Sequence, residues 1–241
     1  GLGDVYKRQL LTLMNLLCGS FAVVVALMYN DLTLAFWLIV AGIVFDFFDG
    51  FVARLLHSSS AIGVQLDSLA DVITSGLAPA AVLWQVCLQT EPCWLPETWK
   101  LGYGVFVLAA FSALRLAKFN IDETQTVEFC GLPTPAGSLL CASLGMLWQQ
   151  GAVALSSDGV LLIAVLTSLL LVSPIRMFAL KFHGFGWRGN EVRYLFLLAS
   201  IVLIIILRTY AIPVIIVLYI VVSAVRWLCM RSGNPDKAPK A

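Results

Sequence analysis

Charged residues are scarce in this chain: Asp, Glu, Lys and Arg together make up 12% of it, whereas 60% is hydrophobic. A soluble globular domain carries roughly twice that share of charge. The composition therefore excludes a soluble domain and predicts an integral membrane protein. The net charge is only +1, and no stretch gathers basic residues into a stripe that would fit nucleic acid. We therefore expect no nucleic-acid partner.

Cysteine and histidine signatures are also lacking. The two histidines and six cysteines are scattered, without any Cys-x-x-Cys spacing. Most of the cysteines are expected to be small buried hydrophobic side chains. Cys87 and Cys93 flank one connecting loop, and they could pair only if that loop faces an oxidising compartment.

Long apolar runs make up most of the sequence. They predict an all-α polytopic membrane protein, a bundle of about eight transmembrane helices. Pro174 is expected to kink the sixth helix near its end. Residues 10–228 form the predicted transmembrane domain, after a poorly defined segment 1–9 and before a polar tail 229–241. The predicted spans are 10–29, 32–56, 63–88, 101–119, 135–155, 159–178, 194–207 and 210–228.

Four carboxylates interrupt the second and third of these spans. An Asp at the centre of a membrane helix costs about 2.5 to 3.5 kcal/mol on insertion scales, so four of them require a cation or a watery cavity. Asp46 and Asp49 share one helix face, and Asp67 and Asp71 share another. Two antiparallel helices joined by a short polar turn would bring all four together. No Cys lies nearby, and His57 in the turn is expected to be a solvated residue and not a ligand. Oxygen ligands alone favour Mg²⁺, Mn²⁺ or Ca²⁺ over zinc or copper.

Small residues and one cation accompany the four acids. Gly50, Ala53 and Gly63 lie on the same faces and leave room for a bulky ligand to approach the backbone. Arg54 follows at the predicted helix end, where a guanidinium can hold a phosphate with two hydrogen bonds. The combination predicts a site for a metal-bound pyrophosphate.

These residues together resemble a known signature. Asp46-x-x-Asp49-Gly50-x-x-Ala53-Arg54, then eight residues, then Gly63-x-x-x-Asp67-x-x-x-Asp71, is similar to the signature of the CDP-alcohol phosphotransferase family. Within that family the chain looks most like the phosphatidylserine synthase branch, and the similarity runs over residues 10–193. Two further blocks carry the resemblance to the branch, namely Ser112-Ala-Leu-Arg115-Leu-Ala-Lys118-Phe119-Asn120 and Gly131-Leu-Pro133-Thr134-Pro135-Ala136.

The resemblance implies an enzyme that transfers the phosphatidyl group of CDP-diacylglycerol to L-serine and releases CMP. It implies that the four Asp residues hold Mg²⁺ or Mn²⁺, with Ca²⁺ able to occupy the same place, and that Asp71 is the general base. It also implies a homodimer among membrane lipids. The expected CDP-diacylglycerol-binding residues are Asn15, Gly50, Ala53, Arg54 and Gly63, although Asn15 could equally make an interhelical hydrogen bond.

The acceptor pocket is expected near the end of the fourth span. Serine brings a carboxylate that suits an arginine, so Arg115, Asn120 and Thr134 are the candidate acceptor-binding residues. Arg115 could equally be a cation that anchors the helix end at the cytoplasmic face. The loop 120–134 is expected either to close over the acceptor or to be an ordinary connector.

The distribution of cations predicts the orientation of the site. With eight spans, only Lys100 and Arg208 of the 15 Lys and Arg residues fall on the side opposite the acidic motif. By the positive-inside rule the site is expected to open to the cytoplasm, from an inner or plasma membrane.

Two alternatives stay open. One is another enzyme of the family, making phosphatidylglycerophosphate or phosphatidylinositol phosphate, whose phosphate-bearing acceptors would need more cations, such as those of the loop 181–193. The other is a metal-ion or solute transporter, which would be expected to show inverted repeats and acids near mid-membrane. No internal repeat is visible, and the acids cluster towards one membrane face.

Overall fold

The fold is taken from a computed structural model, which describes residues 2–55, 61–94, 101–121, 128–178 and 190–233. Within these residues the chain forms nine α-helices and one two-stranded antiparallel ribbon. The helices are α1 Leu2–Val24, α2 Leu32–Leu55, α3 Ala61–Asp71, α4 Ala78–Gln89, α5 Val107–Ile121, α6 Thr134–Gln149, α7 Ser157–Leu171, α8 Glu191–Leu207 and α9 Ala211–Gly233. The strands are β1 Glu128–Cys130 and β2 Arg176–Phe178.

The helices confirm the predicted all-α membrane fold. Five helical stretches are long and apolar enough to cross a membrane, and α7 is a shorter apolar helix. The fifth stretch contains both α8 and α9, joined by the 3₁₀ turn Arg208–Tyr210. The protein is therefore an integral membrane protein. The five stretches are Gln9–Tyr29, Leu32–Ala53, Ile62–Gln89, Gly102–Ile121 and Glu191–Cys229.

One long helical stretch forms the centre of the bundle. It consists of α3, the π-helical turn Val72–Leu77 and α4, and nearly every side chain in the first two turns of α4 is buried. Pro79 has no N–H to donate to the carbonyl four residues earlier, which accounts for the wider turn before α4. The other helices surround this stretch, with α1, α2, α6 and α7 packed against α4.

Two glycines allow the central stretch to approach α1 and α2. A Cβ on Gly19 of α1 would lie 2.7 Å from Thr74 Cα, and a Cβ on Gly42 of α2 would lie 2.6 Å from Thr74 Cγ2. Small residues of this kind let helix backbones pack closely in membranes. Thr74 lies one turn after Asp71. The close contact of Thr74 with Gly19 therefore fixes the distance between Asp71 and α1.

The predicted fifth and sixth spans are too long. Helix α6 ends at Gln149 instead of residue 155, because Gly151 takes a left-handed conformation with φ +69° and Ala152 N donates to Leu147 O. Helix α7 ends at Leu171, so Pro174 does not kink it but lies in the connection that follows. Proline lacks the donor needed to continue a helix, and it disfavours helical backbone in the residue before it.

A short ribbon replaces the end of the predicted sixth helix. Residues 176–178 form β2, which pairs with β1 in the register Cys130 to Arg176 and Glu128 to Phe178. Part of the predicted connecting loop 120–134 is therefore a strand, while residues 122–127 lie outside the described residues. Helix α9 also continues to Gly233, into the predicted polar tail.

The cysteines show no pairing in the part of the chain that the structure describes. All six are free, with Cys87 buried and Cys93 exposed. Cys87 Sγ lies 3.5 Å from Ser157 O. Cys93 N instead donates to the Asp158 carboxylate at the start of α7.

Replacing Gly19 with alanine should loosen the contact between α1 and the central stretch. Its Cβ would meet the backbone of Thr74, which cannot move aside as a flexible side chain could. We expect Gly19→Ala to lower the free energy of unfolding by about 1 to 3 kcal/mol, measured as a lower thermal midpoint of the purified protein. The control is Gly50→Ala, compared for stability alone, since a Cβ on Gly50 meets nothing within 4 Å. Equal midpoints for the two variants would contradict this packing.

Candidate active site

The four predicted carboxylates lie on the two helices that the sequence indicated. Asp46 and Asp49 belong to α2, and Asp67 and Asp71 belong to α3. The Asp46 side chain makes a hydrogen-bonding contact with Asp67, and it interacts electrostatically with Asp49 and Asp71. Asp49 and Asp71 are buried, whereas Asp46 and Asp67 are partly exposed. The structure therefore groups all four, with two facing inward and two at the opening.

Helix α1 forms a third side of the site, and of its two contacting residues the sequence predicted Asn15 but not Thr12. Asn15 Nδ2 donates to Asp71 Oδ1 over 3.0 Å, and Thr12 Oγ1 donates to Asp49 Oδ2. Asn15 is held in turn by Thr74 Oγ1, which donates to the Asn15 carbonyl over 3.0 Å. Asn15 thus makes the interhelical hydrogen bond that was one of its two expected roles. Thr12 was missed, although its spacing of three residues from Asn15 places both on one helix face.

The expected direct packing of α2 against α3 is not what holds the acids together. Over the described residues these two helices scarcely touch, while α1 packs extensively on both. Their carboxylates meet across a gap that α1 lines with Thr12 and Asn15. The arrangement is a cleft between α2 and α3 that α1 closes on one side.

The donor set of this cleft is oxygen only. Like-charged carboxylates this close repel one another unless they share protons or a cation. Among the described residues, no three His, Cys, Asp or Glu side chains lie close enough together to hold a metal ion. Asp46 and Asp67 are in direct contact across the gap, while Asp49 and Asp71 interact with Asp46 only electrostatically. Carboxylate oxygens with room for water or phosphate suit Mg²⁺ or Mn²⁺.

The small residues of the motif border the same region. Gly50 is half-buried and has open space where a side chain would begin. Ala53 is half-buried one turn later, and Gly63 is buried near the start of α3. The side chain of Arg54 lies outside the described residues, so its phosphate contact stays a prediction. Gly50 therefore leaves room for a ligand beside the helix.

Two of the three predicted acceptor residues are in direct contact. Arg115 of α5 is buried, and its Nη1 donates to Thr134 Oγ1 at the start of α6 over 3.0 Å. Arg115 also interacts electrostatically with Asp71. Asn120 lies elsewhere: its Nδ2 donates to Ser68 Oγ of α3 over 2.7 Å. Arg115 is therefore buried in the bundle and bonded to another helix, and its role in acceptor binding stays a prediction.

A cavity of about 380 Å³ opens next to Arg115. It lies between the end of α5, strand β1 and the connection after α7, and none of the four motif carboxylates lines it. Arg115 belongs to both places, since it lines the cavity and interacts with Asp71. A second cation, Lys118, was not among the predicted site residues, although it lies one turn after Arg115. The lining residues are Arg115, Lys118, Phe119, Ile121, Cys130, Leu171, Val172, Ser173 and Pro174.

The structure is a membrane bundle that gathers acidic residues of two helices at one cleft and has an arginine lining a cavity. The chain also matches the model of a known family. The chain belongs to the CDP-alcohol phosphatidyltransferase family, whose model matches residues 9–173. The matched region contains the acidic cleft and every residue that lines the cavity except Pro174. Helices α8 and α9 and strand β2 lie beyond it.

Several curated relatives carry one name, CDP-diacylglycerol--serine O-phosphatidyltransferase. The protein of that name from Bacillus subtilis (strain 168) is 32% identical over 179 residues, which cover 74% of this chain and 93% of the relative. The one from Helicobacter pylori (strain 26695) is 30% identical, over a stretch that covers 91% of this chain and 90% of the relative. The one from Mycobacterium tuberculosis (strain H37Rv) is 33% identical and covers 95% of this chain and 82% of its own.

Proposed function

We propose that this protein transfers the phosphatidyl group of CDP-diacylglycerol to L-serine, forming phosphatidylserine and releasing CMP. The observation that carries the proposal is the placement of Arg115, which lines a cavity large enough to hold a small amino acid and interacts electrostatically with Asp71 of the acidic cleft. The names of the curated relatives support the same reaction. The reaction would be one of phospholipid biosynthesis.

The four carboxylates are the proposed metal ligands. Asp46, Asp49, Asp67 and Asp71 would hold Mg²⁺ or Mn²⁺, and Ca²⁺ could occupy the same oxygen ligands. A bound divalent ion would neutralise charge on the pyrophosphate oxygens during the transfer. Thr12 and Asn15 would keep the inner two carboxylates in place through their hydrogen bonds.

The cytidylyl and phosphate part of the donor would lie against the small residues of the motif. Gly50 has no neighbouring atom where a side chain would begin, so the donor can approach the helix backbone there. Ala53 on α2 and Gly63 on α3 have little or no side chain, so both helices would leave space for the donor. Arg54 would bind a phosphate oxygen, and Asn15 would line the deep end of the cleft.

Asp71 is the proposed general base for the serine hydroxyl. Asn15 Nδ2 holds Asp71 Oδ1, which leaves Oδ2 as the oxygen able to take the proton. Arg115 lies close enough to interact with this carboxylate. In this proposal a serine held by Arg115 would have to present its hydroxyl to Asp71, since an in-line attack on the phosphate requires that orientation.

The serine carboxylate is the group that Arg115 would bind. Thr134 fixes one guanidinium nitrogen, and the Arg115 Nε is buried without a hydrogen-bond partner, so the group has donor capacity to spare. A charge-assisted bond to a carboxylate uses that capacity well. Lys118 adds positive charge to the cavity. Asn120 would act at the edge of the pocket, through its contact with Ser68.

Membrane orientation and assembly belong to the same proposal. The distribution of Lys and Arg supports a site that opens to the cytoplasm, where soluble CMP would be released. A homodimer is what the family resemblance implies. Both can be tested separately from the chemistry.

Asp71→Asn should remove the base while keeping the shape of the side chain and its bond from Asn15. We expect CMP release to fall at least about a hundredfold, while CDP-diacylglycerol affinity changes little. Asp46→Asn should instead weaken Mn²⁺ and CDP-diacylglycerol binding. Asp31→Asn is the control, because Asp31 caps α2 at its opposite end through Leu34 N. If Asp71→Asn and Asp46→Asn lose CDP-diacylglycerol binding and CMP release to the same extent, the separate roles proposed for these two residues are contradicted.

The acceptor is tested by CMP release from CDP-diacylglycerol with Mg²⁺ or Mn²⁺, in the presence of serine, glycerol 3-phosphate or inositol phosphate. We expect release to depend on serine. Arg115→Ala should raise the KM for serine about tenfold or more, because a charge-assisted bond is lost, with little change in the KM for CDP-diacylglycerol.

Arg208→Ala is the matched control for that variant, since Arg208 lies in the turn between α8 and α9. Release that requires a different acceptor would reject serine as the substrate. An unchanged serine KM in Arg115→Ala would reject Arg115 as its binding residue.

A further inference from the structure

One cysteine lines the cavity beside Arg115. Cys130 ends strand β1 as a thiol, and it is partly exposed. Cys18, Cys87 and Cys141 are buried in the bundle instead. Reactive cysteines are partly exposed and lie near cations, whereas cysteines buried among apolar side chains are inert. Because the proposed reaction does not use Cys130, the cavity holds a nucleophile in addition to the acceptor residues.

The backbone holds Cys130 at the wall of the cavity. Strand β1 places Cys130 opposite Arg176 of β2 in the antiparallel register. The next residue, Gly131, takes a φ of +76°, and its N donates to Ile175 O over 2.9 Å. A Cβ on Gly131 would overlap Leu171 O, so a glycine is needed for the chain to pass this close. Since Leu171 also lines the cavity, this contact keeps Cys130 beside the connection after α7.

Two cations line the same cavity. Arg115 is buried, with 8% of its surface exposed, and its Nη1 donates to Thr134 Oγ1. Its Nε is buried without a hydrogen-bond partner among the described residues, so one donor is left for a ligand. Lys118 lies one turn later on α5 and lines the cavity as well. No carboxylate of the described residues lines it. The cavity therefore favours an anion over a cation.

Thiol–disulfide exchange would join a small disulfide to Cys130. The thiolate of Cys130 attacks one sulfur of the disulfide, the sulfur–sulfur bond of the reagent breaks, and a new one forms to Cys130. The departing thiolate takes up the proton that the Cys130 thiol has lost, so one disulfide replaces another. A carboxylate on the retained half would then share the cavity with Arg115 and Lys118, where it suits the unpartnered Nε of Arg115.

We propose that Cys130 is a modification site for small anionic disulfides, and that the attached group blocks the cavity beside Arg115. The proposal rests on the proposed function, in which Arg115 binds the serine carboxylate. The attached anion would take the place of that carboxylate, so the protein would lose affinity for serine and keep its affinity for CDP-diacylglycerol. A reducing thiol would reverse the exchange. Serine binding would thus respond to the thiol–disulfide balance of the compartment that the cavity faces.

Labelling is measured on the whole chain with Cys93→Ser and Cys229→Ser, which remove the two exposed cysteines. The probes are dithiodipropionate, which is anionic, cystamine, which is cationic, and hydroxyethyl disulfide, which is neutral. Each rate is divided by that of the same disulfide with free mercaptoethanol, because disulfides differ in intrinsic reactivity. We expect this relative rate at Cys130 to be at least about tenfold higher for dithiodipropionate than for cystamine. Peptide mass spectrometry measures the rates without any turnover.

Lys118→Gln tests whether charge selects the probe. It should slow the reaction of Cys130 with dithiodipropionate about three- to tenfold, because one of the two cations is gone, and leave the reaction with hydroxyethyl disulfide within about twofold. Arg208→Gln is the matched control, since Arg208 lies in the turn between α8 and α9 and does not line the cavity. Equal relative rates for the anionic and the cationic probe, or no modification of Cys130, would overturn the proposal.

Serine kinetics test whether the attached group blocks the cavity. After modification by dithiodipropionate we expect the KM for serine to rise about tenfold or more, because the charge-assisted bond to Arg115 is lost. The KM for CDP-diacylglycerol should stay within about twofold, and dithiothreitol should restore serine binding. The same chain carrying Cys130→Ser in addition should keep the serine KM that it has before treatment.

Complete modification of Cys130 with an unchanged serine KM would overturn the proposal. The failure of the proposed function looks different, because untreated wild-type protein would then release no CMP on addition of serine. That result would refute the block of serine binding, whereas the relative labelling rates would still decide whether Cys130 is a site for anionic disulfides.

Discussion

The repulsion among four carboxylates inside membrane helices is the constraint on which the site depends. Each charge is costly in an apolar helix, and together they are tolerable only around a cation or in a wet cleft. The structure meets this demand with α1 as well as with the two motif helices. Thr12 and Asn15 give hydrogen bonds to the inner acids, so part of the charge is stabilised by fixed protein donors. Helix α1 is thereby part of the site and not only a membrane anchor.

The acidic cleft and the cavity beside Arg115 are separate spaces, since none of the four motif carboxylates lines the cavity. Arg115 lines the cavity and also interacts electrostatically with Asp71. In the proposed function the lipid donor would occupy the cleft and the small polar acceptor would occupy the cavity. The close packing of Thr74 against Gly19 and Gly42 keeps the Asp71 end of this geometry in place.

The sequence predicted the parts of the site that depend on spacing along one helix. Asp46 with Asp49, and Asp67 with Asp71, follow from helical periodicity, and the cost of buried charge implied that they meet. Contacts between distant segments were not predictable in this way: the hydrogen bonds of Thr12 with Asp49 and of Asn120 with Ser68 depend on tertiary packing. The end of α7 before Pro174 had a local signal, which was interpreted as a kink although proline also terminates helices. The ribbon was missed because three-residue strands carry almost no periodic pattern.

The central claim is that the four carboxylates form one divalent-cation site, and crystals grown with Mn²⁺ and CDP-diacylglycerol would test it most directly. Anomalous scattering at the manganese edge locates the ion independently of any assumption about its ligands. We expect the strongest peak between α2 and α3, within about 2 to 2.6 Å of oxygens from these four residues. An active protein with its manganese peak elsewhere, and none in this cleft, would contradict the account.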